Sequence, residues 1–114
     1  MKMNLFAGAV GVAAALLVSP MASAVDADAA QALAKKEGCM KCHAIDKKKE
    51  AKSFTEIGKK WAGKADAEAK IMHHLTSGEK VKMEDGTEED HKMFKTKDEA
   101  ERKNLVQWII SFGK

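Results

Sequence analysis

The chain has few residues that can form disulfides or restrict the backbone: its 114 residues include two cysteines and one proline. So few cysteines exclude a disulfide-rich mini-protein. Beyond about the first two dozen residues, no apolar run is long enough to cross a bilayer. The net charge of +3 is too small to indicate a nucleic-acid partner. With 45% hydrophobic and 32% charged residues, the composition is that of an ordinary folded protein, and a disordered or collagen-like chain is excluded.

The N-terminus has the pattern of a secretory signal peptide. A lysine precedes an uncharged apolar run over residues 5–18, and Ala22 and Ala24 supply the small residues of a cleavage site. A retained membrane anchor is the alternative, but the run is short and a cleavage site follows it. We therefore predict a cleaved signal peptide over residues 1–24 and an exported mature domain over residues 25–114.

Four segments of the predicted mature domain carry helix signals. The first is rich in good helix formers, and Gly38 lies where a C-cap is expected. Apolar residues recur at three- and four-residue spacing in the others, and a capping box over residues 96–99 marks the start of the last. Residues 79–95 have no such period and predict one long loop with a turn at Asp85 and Gly86. We therefore predict an all-α domain without a sheet, with helices over residues 26–37, 53–61 and 67–76 and a C-terminal helix whose apolar stripe is Leu105, Trp108, Ile109 and Phe112.

Residues 39–43 carry the most specific chemical signal. Cys39, Cys42 and His43 form the pattern Cys-x-x-Cys-His, which is typical of c-type haem attachment. At this spacing the two thiols add to the two vinyl groups on one edge of the porphyrin, and the histidine reaches the iron from one face. A disulfide or a thioredoxin-like site is the alternative, but the latter needs a βαβ context that four helices do not provide. A haem would also complete the core of so short a chain. We therefore predict one haem c, held by Cys39 and Cys42, with His43 as the proximal iron ligand.

With this motif and its helices, the chain resembles the small bacterial class I cytochromes c. The resemblance covers essentially the whole predicted mature domain, and residues 42–48 are also typical of the group. It implies a class I cytochrome c fold, in which about four helices wrap around one haem and the first and last helices cross beside the haem crevice. Leu33 and Ala34 would then meet Leu105 and Trp108 at that crossing.

The chain departs from the class I pattern near both axial positions of the iron. The Gly-Pro that usually follows the haem motif is absent, so the Lys52 carbonyl would accept the hydrogen bond from the proximal histidine. The usual Pro-Met motif of the distal ligand is absent as well. His91 and Met93 both lie at a suitable distance before the last helix, and Met83 is a more distant candidate. A thioether ligand would raise the reduction potential, and a second imidazole would lower it.

Other polar side chains have both a functional and a structural interpretation. The lysines over residues 47–52 could steer an acidic redox partner or simply form a solvated loop. The acidic side chains over residues 84–90 form a run of charge, and such a run is usually only a solvated face. Trp61 lies where the group often has an aromatic donor to a haem propionate, and simple packing is its alternative. His73 and His74 are expected at the surface and at the edge of the core.

These observations predict an electron carrier and not an enzyme, since the sequence has no second acid–base constellation. The resemblance implies a protein that cycles one haem between Fe(III) and Fe(II), and the signal peptide predicts that it is periplasmic. Its redox partners would be a dehydrogenase or quinol-oxidising complex and an acceptor, with no nucleic acid and no membrane span after signal cleavage. The alternatives are a haem relay subunit of a periplasmic oxidoreductase complex and a haem-based gas binder or sensor.

Overall fold

The computed structural model describes residues 24–114, so most of the predicted signal peptide lies outside the described residues. In chain order the elements are helix α1 (Ala27–Lys36), a 3-10 turn (Cys39–Lys41), helices α2 (Phe54–Trp61) and α3 (Ala67–Thr76), strands β1 (Lys80–Lys82) and β2 (Glu88–Asp90), and helix α4 (Glu99–Ser111). The four predicted helices are therefore confirmed. Within residues 24–114, none of the helices combines the length and the apolar character needed to span a bilayer.

The prediction that the domain has no sheet is wrong. Strands β1 and β2 form a short antiparallel hairpin in which Lys80 lies opposite Asp90. The ammonium of Lys80 is 3.1 Å from the Asp90 carboxylate, and Gly86 turns the chain with a positive φ of 87°. All six strand residues are exposed except Val81, which is half-buried. The hairpin depends on cross-strand charge and turn geometry, so it has no apolar alternation that a sequence pattern could reveal.

Helix α4 begins at a different residue from the one predicted. Asp98 is its N-cap, and the Asp98 carboxylate accepts hydrogen bonds from the backbone N–H groups of Ala100 and Glu101 at 2.9 and 3.2 Å. The Thr96 hydroxyl instead donates to the Glu101 carboxylate. The predicted capping box over residues 96–99 is therefore wrong, because a carboxylate at the positive end of the helix binds the first N–H groups better than a threonine hydroxyl does.

The centre of the core lies where α1 packs against α4. Ala30 and Ala34 are fully buried, and their small side chains let the two helices approach closely. Leu33, Leu105 and Trp108 belong to the same buried cluster. The expectation that Leu33 and Ala34 meet Leu105 and Trp108 is therefore confirmed.

Helix α2 lies against the C-terminal end of α4 through a glycine contact. A Cβ atom at Gly58 would lie 2.5 Å from the Ile109 carbonyl oxygen and 2.8 Å from the Gly113 nitrogen, which is too close for any side chain. Gly58 therefore sets the position of α2, and with it the position of Phe54 at the start of that helix.

Candidate functional site

A crevice of about 1230 Å³ lies beside the α1–α4 core and reaches from the Cys39–Lys41 turn to the segment before α4. Sites for small ligands usually occupy roughly 300 to 1,000 Å³, so this crevice suits a large cofactor. Its walls include the buried side chains of Phe54, Ile71, Leu105 and Ile109. Many of the residues at its rim are charged. Apolar walls and a charged rim fit a flat, largely apolar molecule that keeps a polar edge near water.

Both cysteines of the Cys-x-x-Cys-His motif line this crevice, and no disulfide joins them. Gly38 allows this arrangement, because its φ of 80° ends α1 and turns the chain into the 3-10 turn that carries Cys39. Burial raises the pKa of the Cys39 thiol, and the negative charge of Glu37 adds to the effect. The pKa of Cys42 is also raised, by desolvation and by a hydrogen bond to Glu50.

His43 is held by its backbone and aromatic neighbours. Its Nδ1 lies 2.7 Å from the Lys52 carbonyl oxygen, so the predicted bond to that carbonyl is confirmed. The ring of Phe54 stacks on the imidazole with a centroid distance of 5.1 Å. Desolvation lowers the pKa of His43, which favours the neutral form that a metal ligand requires. With Nδ1 bound to a carbonyl, Nε2 is the nitrogen available to a metal.

His91 provides a second imidazole in the same crevice. Its ring centroid lies 6.4 Å from that of His43, and the two ring planes are inclined by 45°. A metal ion binds an imidazole nitrogen at about 2.0–2.1 Å, so two imidazoles on opposite sides of one ion have centroids about 6.2–6.6 Å apart. Nδ1 of His91 lies 2.9 Å from the Lys92 carbonyl oxygen, and desolvation lowers the pKa of His91. The two histidines therefore match the separation and the charge state of a pair of axial ligands.

The candidate methionines occupy different positions from His91. Met93 also borders the crevice, and its sulfur packs beside Gly78, 3.4 Å from where a Cβ atom of that residue would lie. Met83 is half-buried at the rim, where its N–H donates to the Thr87 carbonyl oxygen at the end of the hairpin. Among these residues, the His91 imidazole lies 6.4 Å from that of His43, which makes it a candidate distal ligand.

His74 and Glu79 also belong to this site, although neither residue is predicted there from the sequence. His73 is exposed and His74 is half-buried, as expected, but the His74 ring lies 4.1 Å from the ring of His91. Nδ1 of His74 is 2.6 Å from the Glu79 carboxylate, and this hydrogen bond lowers the pKa of Glu79. The His91 N–H donates to the Glu79 carbonyl oxygen. His74 lies in α3, whereas Glu79 and His91 lie in the chain that follows this helix. The periodic spacing of residues within a helix therefore could not predict these contacts.

Charged side chains at the rim connect the loop after the haem motif to the hairpin. Lys48 forms an ion pair with Glu84, which brings one of the loop lysines onto the acidic hairpin. Trp61 is half-buried at the rim, and the ammonium groups of Lys60 and Lys64 lie 5.5 and 5.1 Å from its ring centroid. The rim therefore carries charges of both signs.

The chain is similar to known proteins over most of its length. Residues 27–112 match the family model described as Cytochrome c. The chain is 34% identical over 101 residues to cytochrome c-552 of Hydrogenobacter thermophilus, covering 84% of this chain and 94% of that protein. It is 35% identical over 83 residues to cytochrome c2 of Rhodocyclus tenuis, covering 70% and 88%. The crystal structure of the class 1 cytochrome MtoD from Sideroxydans lithotrophicus ES-1 superposes with a TM-score of 0.77 and 51% identity, covering 80% of this chain and all of MtoD.

These relationships extend over most of the described residues and include the crevice. The Cys-x-x-Cys-His motif, the apolar walls and the two facing imidazoles fit a haem. The predicted class I cytochrome c fold, with four helices, and the predicted haem c cofactor are confirmed. The chain belongs to the cytochrome c family and is a small class I electron-transfer protein with one covalently attached haem c.

Proposed function

We propose that this cytochrome is a periplasmic electron carrier in which Cys39 and Cys42 form the haem thioethers and His43 and His91 are the axial iron ligands. The haem supplies one-electron exchange between Fe(III) and Fe(II). The observation that carries the proposal is the 6.4 Å separation of the His43 and His91 rings. It fits one metal ion between two imidazoles that burial keeps neutral.

Backbone hydrogen bonds at His91 and at Phe94, three residues later, support its role as a firm ligand. The His91 N–H donates to the Glu79 carbonyl oxygen at 2.9 Å, and the Phe94 N–H donates to the Leu75 carbonyl oxygen at 2.9 Å. These bonds fix the segment to the C-terminal end of α3 and the residues that follow it. A ligand held in this way would stay bound to the haem iron, which would favour electron transfer over the binding of small gases.

The proximal side is equally constrained, and this favours a stable coordination in both oxidation states. The Lys52 carbonyl fixes the tautomer and the direction of the His43 ring, and it strengthens the imidazole as a donor. The stacked ring of Phe54 limits rotation of the imidazole. Two imidazole ligands would give a lower potential than the histidine and methionine pair of many class I cytochromes.

The periplasmic location rests on the signal-peptide pattern over residues 1–24 and on the covalent attachment of haem after export. A dehydrogenase or quinol-oxidising complex would supply electrons, and a second protein would accept them. The charged rim of the crevice would guide these encounters, because charged surfaces raise association rates at low ionic strength.

The test uses the haem-loaded protein, recovered from the periplasm of a bacterial host that attaches haem c. We expect a polypeptide that begins at Val25 and carries one haem by mass spectrometry, and a reversible one-electron wave by voltammetry. The ferrous protein should bind carbon monoxide slowly, whereas His91→Ala should bind it rapidly. Rapid binding by the wild-type protein would contradict the carrier proposal and favour the gas binder. Tight co-purification with a larger subunit from the native cells would favour the relay subunit.

A further inference from the structure

Glu37 is a buried carboxylate with no role in the haem attachment described above. It lies at the C-terminal end of α1 and is 4% exposed. This position is unfavourable on two counts, because burial removes water from the charge and the negative end of the helix dipole repels it. A carboxylate that occurs in such a place needs strong compensating hydrogen bonds.

The compensating hydrogen bonds come from the segment that follows His91. Oε2 of Glu37 accepts from the Lys95 N–H at 2.7 Å, and Oε1 accepts from the Thr96 N–H at 2.9 Å. One side chain therefore binds two consecutive backbone N–H groups, fifty-eight and fifty-nine positions away in the sequence. Both bonds are partly buried, where charge-assisted hydrogen bonds are strongest.

These bonds complete the attachment of residues 91–96, the distal segment, which carries His91. Its N-terminal part is bound to the α3 side of the crevice through the N–H groups of His91 and Phe94. Its C-terminal part is bound to the end of α1 through Glu37. Cys39 follows Glu37 closely in the chain, so the carboxylate connects the distal segment to the turn that carries the haem motif.

We propose that Glu37 is a positioning residue for the distal iron ligand. Its carboxylate keeps residues 91–96 against the end of α1, so that the His91 imidazole stays within reach of the iron. The inference rests on the proposed ligation by His91. Without the carboxylate, the bonds to α3 still hold the N-terminal part of the segment, but its C-terminal part is released and the ligand leaves the iron more often.

Glu37→Gln is the most direct variant, because it keeps the size of the side chain. The amide oxygen can accept only one of the two bonds, and the amide NH₂ group would face the other N–H donor. Carbon monoxide binds ferrous haem only when the distal ligand has left. We therefore expect the binding rate measured by stopped flow to rise about ten-fold or more in Glu37→Gln. The oxidised protein should remain predominantly low-spin.

Asp98→Ala is the matched control. The Asp98 carboxylate also accepts from two backbone N–H groups, but it caps α4 and does not border the crevice. We expect this variant to lose stability in denaturant without any increase in the carbon monoxide rate. The comparison separates a local effect on the distal ligand from a general loss of stability.

A carbon monoxide rate in Glu37→Gln equal to that of the wild type, or no greater than that of Asp98→Ala, would overturn the inference and leave the proposed ligation standing. A wild-type rate already equal to that of His91→Ala would overturn the ligation itself, and the inference with it. If Glu37→Gln does not fold, Glu37→Asp replaces it, since the shorter carboxylate keeps the charge but not the reach. A raised rate in Glu37→Asp supports the inference, and an unchanged rate overturns it.

Discussion

Replacement of Phe54 tests how the proximal side of the haem site is held. This side chain is 3% exposed and lies between two other rings. It stacks on His43 with a centroid distance of 5.1 Å and an interplanar angle of 19°, and it meets Trp108 edge-on at 5.5 Å. Phe54→Leu removes both ring contacts while keeping an apolar side chain, whereas Phe54→Ala also leaves a cavity.

The expected losses follow from these contacts. An aromatic pair contributes about 0.5–1.5 kcal/mol beyond its buried area, so loss of the two pairs in Phe54→Leu should cost about 1–3 kcal/mol. Truncation of a buried Phe to Ala typically costs about 3–5 kcal/mol. The total stability of a domain is about 5–15 kcal/mol, so Phe54→Ala should lose a large part of it.

The assay is guanidinium unfolding of the oxidised, haem-loaded protein, followed by far-ultraviolet circular dichroism. Phe94→Leu is the control, because Phe94 is a half-buried aromatic residue that packs against the core and lies 5.7 Å from the Arg102 guanidinium. We expect a smaller loss in the control than in Phe54→Leu. A loss below about 0.5 kcal/mol in Phe54→Leu would refute the idea that its ring contacts support the proximal histidine.

Three further predictions concern the glycine contact and the hairpin. Gly58→Ala should reduce the free energy of unfolding by about 1–3 kcal/mol, because its new methyl group overlaps the backbone of α4, and an unchanged midpoint in denaturant would contradict the close approach. Glu84 raises the pKa of Lys48, so Glu84→Gln should return that pKa toward its ordinary value in an NMR titration, as should high salt. Hydrogen bonds from the hydroxyl and the N–H of Thr87 lower the pKa of Asp85, so Thr87→Val should raise that pKa. Because the pKa of Asp85 is lower in the folded state, its contribution to stability is present at neutral pH and is lost as the pH falls below about 4. An Asp85 pKa that is unchanged by Thr87→Val would contradict this account.

The haem motif and the helices could be predicted because both depend on local sequence. Cys39, Cys42 and His43 are neighbours in the chain, so their chemistry does not depend on the fold. The apolar stripe of α4 is helical in period, and its members Leu105 and Trp108 are buried as that period requires.

The distal side could not be predicted in the same way. His91 and Met93 lie two positions apart, and sequence spacing alone cannot say which of them faces the iron. The path of this segment depends on hydrogen bonds from its backbone N–H groups to the carbonyl oxygens of Glu79 and Leu75 and to the Glu37 carboxylate, all in other parts of the chain. The hairpin could not be predicted because its strands are almost entirely exposed and charged, so they show no alternation of apolar and polar residues.

The absorption spectrum of the oxidised protein, extended into the far red, tests the proposed axial ligation most directly. It should be recorded for the wild type, His91→Ala and Met93→Ala. We expect a low-spin spectrum without the methionine-sulfur-to-iron charge-transfer band in the wild type, no change in Met93→Ala, and loss of the low-spin form in His91→Ala. A charge-transfer band that is present in the wild type and absent from Met93→Ala would show methionine ligation and contradict the pairing of His43 with His91.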